Sequence, residues 1–233
     1  MMHSVTGFSV KPFLRQVAVL VLVAAFALFA QYSGFDIYLE NFYFDGASGT
    51  WPYQSLFITG DLLHTWGKRF VVLLALVNLA AYVASFFVQW LQPYRRHLLF
   101  LLVAAATGTS IVSILKSITH IYSPWDLQLY GGDLPHIRLF DSVPDGAPIG
   151  HGFPGGHSSG GFAYLSLYFL LTVLNHRLRW VGLLFPMALG IVFSITQEIR
   201  GAHFLSHDLF SFVICWAASF GWSLVFYPDY YKT

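Results

Sequence analysis

The chain's 233 residues are 56% hydrophobic and 18% aromatic, only 10% are charged, and the mean hydropathy is +0.62. A soluble domain commits about a quarter of its residues to charge, so this composition excludes an ordinary globular protein in favour of a membrane protein. Twelve Lys and Arg against eleven Asp and Glu leave a net charge of +1, which offers no basic face for a nucleic-acid backbone and excludes nucleic acid as a partner class.

A hydrocarbon core of roughly 30 Å takes about 20 apolar residues as helix. Six stretches qualify or nearly do: 13–31, 70–91, 97–115, 158–174, 180–198 and 208–226. The predicted class is therefore all-α, a polytopic single domain over residues 1–233 with six transmembrane helices and a structured outer loop between the third and fourth. Lys11 and Arg15 precede the first span, and no small-x-small site occurs around Ala27 to Gln31, so that span reads as an uncleaved anchor.

The following segment, 32–69, holds Asp36, Glu40, Asp45 and Asp61, and its run FDIYLENFYF (35–44) fits either a lipid-guiding interfacial helix or a plain aromatic belt. The 92–97 turn carries Arg95 and Arg96, and the 175–179 turn carries Arg177 and Arg179. The positive-inside rule places these turns and the N-terminal tail in the cytoplasm, and six spans bring the C-terminus to the same side. Segments 32–69, 116–157 and 199–207 then face outward, with Lys68 and Arg69 there against the rule. The 116–157 loop is rich in Gly, Pro and Asp and reads as a cap. Cys215 lies in an apolar run and reads as a small buried hydrophobe.

Seven of the ten histidines (His64, His120, His136, His151, His157, His203 and His207) fall on the outer side. A single one would be an interfacial hydrogen-bonder. Three segments, however, put ionisable groups at outer span ends, where such groups are costly and so point to use. In KSITHIYSPWD (116–126), Lys116 ends the third span, either as a snorkelling lysine or as an anion ligand. In FPGGHSS, Gly155 and Gly156 allow backbone amides to approach an anion, Ser158 or Ser159 offers a helix cap, and His157 suits proton donation to a leaving oxygen. In RGAHFLSHDLFS (200–211), Ser206 is a candidate N-cap, His203 lies just outside the helix, and His207 and Asp208 occupy its first turns. A neutral imidazole attacks phosphorus well when a carboxylate orients its other nitrogen, and Asp208 is the nearest acid in sequence. The alternatives are a capping cluster without chemistry, or a two-ligand metal face from the i, i+4 pair His203 and His207; no spacing argues for haem attachment.

The order Lys116, then Pro154-Gly155-Gly156-His157, then His203 with a following acid resembles the type 2 phosphatidic acid phosphatase superfamily across about 116–208, in its integral-membrane, bacterial branch. The family's first motif runs Lys, six residues, Arg-Pro, and here reads Lys116 to Ser123-Pro124. Its third runs Ser-Arg, five residues, His, three residues, Asp, and here reads Thr196-Gln197 to His203, then His207 and Asp208. Two motif arginines are thus replaced by Ser123 and Gln197, at the cost of bidentate phosphate contacts. Arg138 and Arg200 are the candidate substitutes.

The resemblance implies a lipid phosphatase of the bacterial inner membrane with its site facing the periplasm. Its substrate would be a phospholipid, isoprenoid pyrophosphate or lipid A-type phosphate. It assigns His203 as nucleophile, His157 as acid, and Asp208 (or His207, since one residue turns a helix by about 100°) as orienter. Lys116, Gly155, Gly156, Ser158 and Arg138 or Arg200 would hold the phosphoryl oxygens. No metal or cofactor is expected. A lipid-to-lipid phosphotransferase and a non-catalytic binding or transport relative remain as alternatives.

Overall fold

In a computed structural model the chain is described over residues 10–175 and 177–231. Lipid offers no partners to backbone polar groups, so the apolar stretches satisfy their own as helices. In chain order these are α1 (Val10–Ser33), α2 (Phe35–Glu40), a π-helical stretch (Phe57–Trp66) continuing into α3 (Gly67–Ala84), α4 (Arg95–Lys116), α5 (Gly156–Phe162), α6 (Ser166–Leu174), α7 (Arg179–Glu198) and α8 (Leu205–Phe226). Among the described residues there is no β-strand, only two isolated bridges.

Among the described residues five helical stretches are long and apolar enough to cross a membrane: Lys11–Ser33, Phe57–Ala84, Gln89–Lys116, Arg179–Glu198 and Leu205–Phe226. Of the six expected spans, 158–174 is not among them. The stretch expected at 158–174 is α5 and α6 joined by a 3-10 turn at Ala163–Leu165. Its opening residues, Gly156-His157-Ser158-Ser159-Gly160-Gly161, lack both the apolar surface and the helix propensity of a regular span. What they allow instead is close approach: a Cβ at Gly161 would meet the backbone of Gly190, so α5 lies backbone to backbone on α7. The second span also differs, beginning at Phe57 instead of 70, which carries Asp61, His64 and Lys68 onto helix.

Two cores result. The larger lies within the bundle, where Phe100, Phe162, Leu165, Phe169, Phe212, Trp216 and Phe220 meet around α8, and Cys215 is buried with them. The smaller belongs to the cap: Trp51, Tyr122, Leu127, Tyr130, Ile137 and Phe204 pack together, with Ile37, Tyr43 and Phe44 against them. The 35–44 run is therefore not a uniform belt. Tyr38 and Phe42 are exposed, while Asp36 and Glu40, each 1% exposed, turn inward. Asp36 Oδ1 accepts the Ser206 N–H at 3.0 Å. Ser206 is the second residue of α8, so the helix start is satisfied by a carboxylate from α2 and not by the Ser206 side chain acting as N-cap.

Candidate active site

Three segments far apart in sequence are laced together by main-chain bonds at the C-terminal end of α4 and the N-terminal ends of α5 and α8. Gly150 N–H donates to Thr119 O at 2.8 Å and Gly152 N–H to Ile121 O at 3.1 Å, while Trp125 N–H donates to Gly201 O at 2.9 Å and Gly155 N–H to His207 O at 3.0 Å. Thr119 Oγ1 adds a bond to Phe153 O at 2.8 Å. The Lys116, His157 and His203 segments are thereby fixed against one another.

His203 is 5% exposed, and its Nδ1 lies 2.8 Å from Gly152 O. A carbonyl only accepts, so Nδ1 carries the hydrogen and the Nε2 lone pair is left free of any hydrogen bond to the described residues. Burial, reinforced by the charges of Lys116 and His207, holds this imidazole well below the usual histidine range, so it is neutral at pH 7. The group bound at Nδ1 is thus a backbone carbonyl. Neither Asp208 nor His207, the two candidates from sequence, occupies that place. Asp208 Oδ1 instead accepts from Ser158 Oγ at 2.6 Å, and both ring nitrogens of His207 are buried without partners.

Two of the expected phosphate ligands are committed elsewhere. The Gly155 amide is used by His207 O, and a Cβ at 155 would overlap Asp208 Oδ1, which explains the glycine without an anion. Ser158 is fully buried, and its hydroxyl lies 2.6 Å from Asp208 Oδ1 and 3.0 Å from Gly155 O, its one hydrogen directed between these acceptors. Lys116 and Gly156 do come together: a Cβ on Gly156 would sit 3.8 Å from Lys116 Nζ. Arg138 is bound to Asp141 at 2.8 Å and lies over the Tyr32 ring, on the cap surface. Arg200 donates to Gln54 O and to Gln197 Oε1, each at 3.2 Å.

His157 donates from Nε2 to Leu63 O at 3.1 Å, and its ring lies 4.2 Å from that of Phe193 and 4.8 Å from that of His64 (centroids). His64 Nδ1 in turn meets Gln197 Nε2 at 3.0 Å. Gln197, at the position of a family arginine, therefore links Arg200 to His64. His64, Lys68, Gly156 and His157 line a cavity of about 550 Å³ together with apolar residues that include Val71, Val72, Ala75, Leu102, Ala105 and Ala163. Sequence reasoning left His64 and Gly152 out of the site. His64 was visible only as one of seven outer histidines, and a carbonyl leaves no trace in side-chain pattern.

A group of buried carboxyls lies around the start of α8, where Asp36 meets Ser206. Burial raises Asp36 to about 6. Glu40 stands well above the usual carboxylate range, first through burial and then through the charges of Glu198, Asp36 and Asp208. Among the described residues no three His, Cys, Asp or Glu side chains are grouped so as to hold a metal ion.

A family model described as the PAP2 superfamily matches residues 97–230, more than half the chain. The chain belongs to the PAP2 superfamily. The match takes in Lys116, His157, His203 and Asp208 but not the π-helical stretch bearing His64. Membership of the PAP2 superfamily suggests phosphatase-type activity on a phosphorylated substrate. No curated protein and no solved structure gives a significant match.

Proposed function

We propose that the protein is a membrane lipid phosphatase that cleaves a phosphate ester or anhydride through a phosphohistidine on His203. The observation that carries this reading is the Gly152 O to His203 Nδ1 bond of 2.8 Å, which fixes the tautomer with a nucleophilic Nε2. Nε2 attacks phosphorus, the bond to the leaving oxygen breaks, and Lys116 with the Gly156 amide faces the phosphoryl oxygens. His157 has Nε2–H committed to Leu63 O, so the proton it gives the leaving oxygen comes from Nδ1 of the imidazolium. Negative charge on the bound substrate favours the imidazolium form of that ring. The neutral ring then takes a proton from water, which attacks the phosphohistidine and restores His203.

Asp208 supports this site through Ser158 and the α5 start, not through His203. Long apolar helices support a bilayer location, and the Arg95, Arg96, Arg177 and Arg179 turns support a bacterial inner-membrane topology with both termini cytoplasmic and the site periplasmic. For that topology the α5–α6 segment serves as the sixth crossing. Phospholipids, isoprenoid pyrophosphates and lipid A-type phosphates are the substrate classes such a site would meet.

The experiment is phosphate release from short-chain phosphatidic acid and a prenyl diphosphate in detergent, with acid-labile phosphohistidine trapped by rapid quench. His203→Ala should lose both signals by several orders of magnitude. A variant that keeps about a tenth of wild-type turnover would remove His203 as nucleophile.

A further inference from the structure

Resting on the lipid phosphatase reading, we propose that His64 and Lys68 form a second anion subsite beside His157, one that receives the leaving-group phosphoryl of a lipid diphosphate. The tautomer of His64 follows from its neighbours. A guanidinium has only donors, so the Gln197 atom 3.2 Å from Arg200 Nη1 is the oxygen, and the Gln197 atom 3.0 Å from His64 is the amide nitrogen. That nitrogen donates, so His64 Nδ1 accepts and the ring's hydrogen sits on Nε2. The described residues offer Nε2 no hydrogen-bond partner, and the ring lines the 550 Å³ cavity together with Lys68. Lys68 is close enough to act on both His64 and His157 and has no ion-pair partner among the described residues. A fixed N–H donor and a cation therefore face the same space.

The charges beside His157 then select the ligand. Lys116 Nζ would sit 3.8 Å from a Cβ on Gly156, the residue before His157, and Lys116 and His157 are both near enough to His203 to act on that ring. His64, with its ring 4.8 Å from that of His157, and Lys68 line the cavity that Gly156 and His157 also line. Two lysines and two imidazoles gathered around His157 offer enough charge and hydrogen-bond donors for two phosphoryl groups joined by a bridging oxygen. The terminal phosphorus bonds to His203 Nε2, the bridge P–O bond breaks, and the bridging oxygen takes the His157 proton. The departing lipid monophosphate lies on His64 and Lys68, with its chain along Val71, Val72, Ala75, Leu102 and Ala105. A monoester leaves this second grouping empty. His64 and Lys68 precede the family-matched region, so the subsite belongs to this chain's own N-terminal portion.

The test compares kcat/KM on a prenyl diphosphate and on the monophosphate of the same alcohol, in detergent, with full-length protein. The diphosphate-to-monophosphate ratio should fall at least about tenfold in His64→Leu and in Lys68→Gln, the loss expected for a hydrogen bond to a charged group. It should be retained in His64→Gln, which keeps a donor near the Nε2 position, and in Lys68→Arg. Arg69→Gln is the control, because Arg69 lies over the Trp66 ring. An equal loss on both substrates, or the same fall in Arg69→Gln, would overturn the proposal. A second arm needs no turnover: His203→Ala protein should bind the methylene-bisphosphonate of that alcohol at least about tenfold tighter than its phosphonate. Equal binding would remove the subsite even if phosphatase activity stands, whereas preserved preference in a wild-type protein that releases no phosphate from either substrate would remove the phosphatase reading and leave the subsite.

Discussion

The carbonyl of Gly152 accepts the Nδ1 hydrogen of His203 at 2.8 Å, joining the loop before α5 to the loop before α8. A main-chain carbonyl is neutral and held by its own loop; here Gly152 N–H also donates to Ile121 O at 3.1 Å. His203→Asn keeps an amide donor near the Nδ1 position and loses the nucleophile. Folding should be preserved, with an unchanged melting profile, while phosphate release falls by a factor of about 10³ or more.

Asp208 provides the sharpest contrast with a carboxylate-oriented histidine. Its Oδ1 receives the Ser158 hydroxyl at 2.6 Å, and an asparagine oxygen accepts the same bond. Asp208→Asn should therefore lower kcat by no more than about tenfold, whereas removing the carboxylate from an Asp-oriented imidazole costs about 10⁴. A loss near 10⁴ would show that Asp208 reaches His203 during turnover.

The two candidate substitute arginines are separable. Arg138 is tied to Asp141 on the cap surface, and Arg138→Ala should change kcat/KM by less than about twofold. Arg200 orders Gln197 and through it His64, so Arg200→Ala should weaken turnover of a diphosphate substrate by about tenfold or more. The readout is kcat/KM for both variants on one substrate.

Asp36 gives a pH signature in stability. Its folded value of about 6 stands above the free value of 3.8, so the folded state binds the extra proton between them. Stability from this group is complete below about 4 and is lost as pH rises through about 6. Asp36→Asn removes the cost of ionisation, on the order of 3 kcal/mol at most, while keeping an acceptor for Ser206 N–H. Its melting temperature should exceed wild type by a few degrees at pH 7.5 and match it near pH 4. His203 acts in the opposite sense: held neutral while the unfolded ring protonates near 6.5, it makes stability fall as pH drops below that value.

Close backbone approach is equally testable. A Cβ at Gly190 would run into the Phe162 ring, whereas one at Gly160 would come only to ordinary contact with Val71, nearest at 3.4 Å. Gly190→Ala should lower the melting temperature and yield, by the roughly 1–3 kcal/mol of an overpacked core. Gly160→Ala should not.

The amino-acid sequence by itself determined the long apolar stretches compatible with a membrane, the all-helical class and the identity of the chemical groups. Hydrophobic length is local, and Lys116, His157 and His203 stand in motifs that stay within a dozen residues each. The long helices fall close to the expected spans, apart from the second, which starts at Phe57 because a π-helical stretch continues it outward, and the α5–α6 segment, which breaks where glycines and serines replace apolar residues. Tertiary structure alone decided which groups meet. The partner of His203 is a carbonyl, the cap of α8 is a carboxylate from α2, and the neighbour of His157 is a histidine 93 positions earlier in the chain. Such pairings depend on how loops cross and which way a ring turns. Those are set by long-range packing and main-chain hydrogen bonds, which leave no periodic mark along the chain.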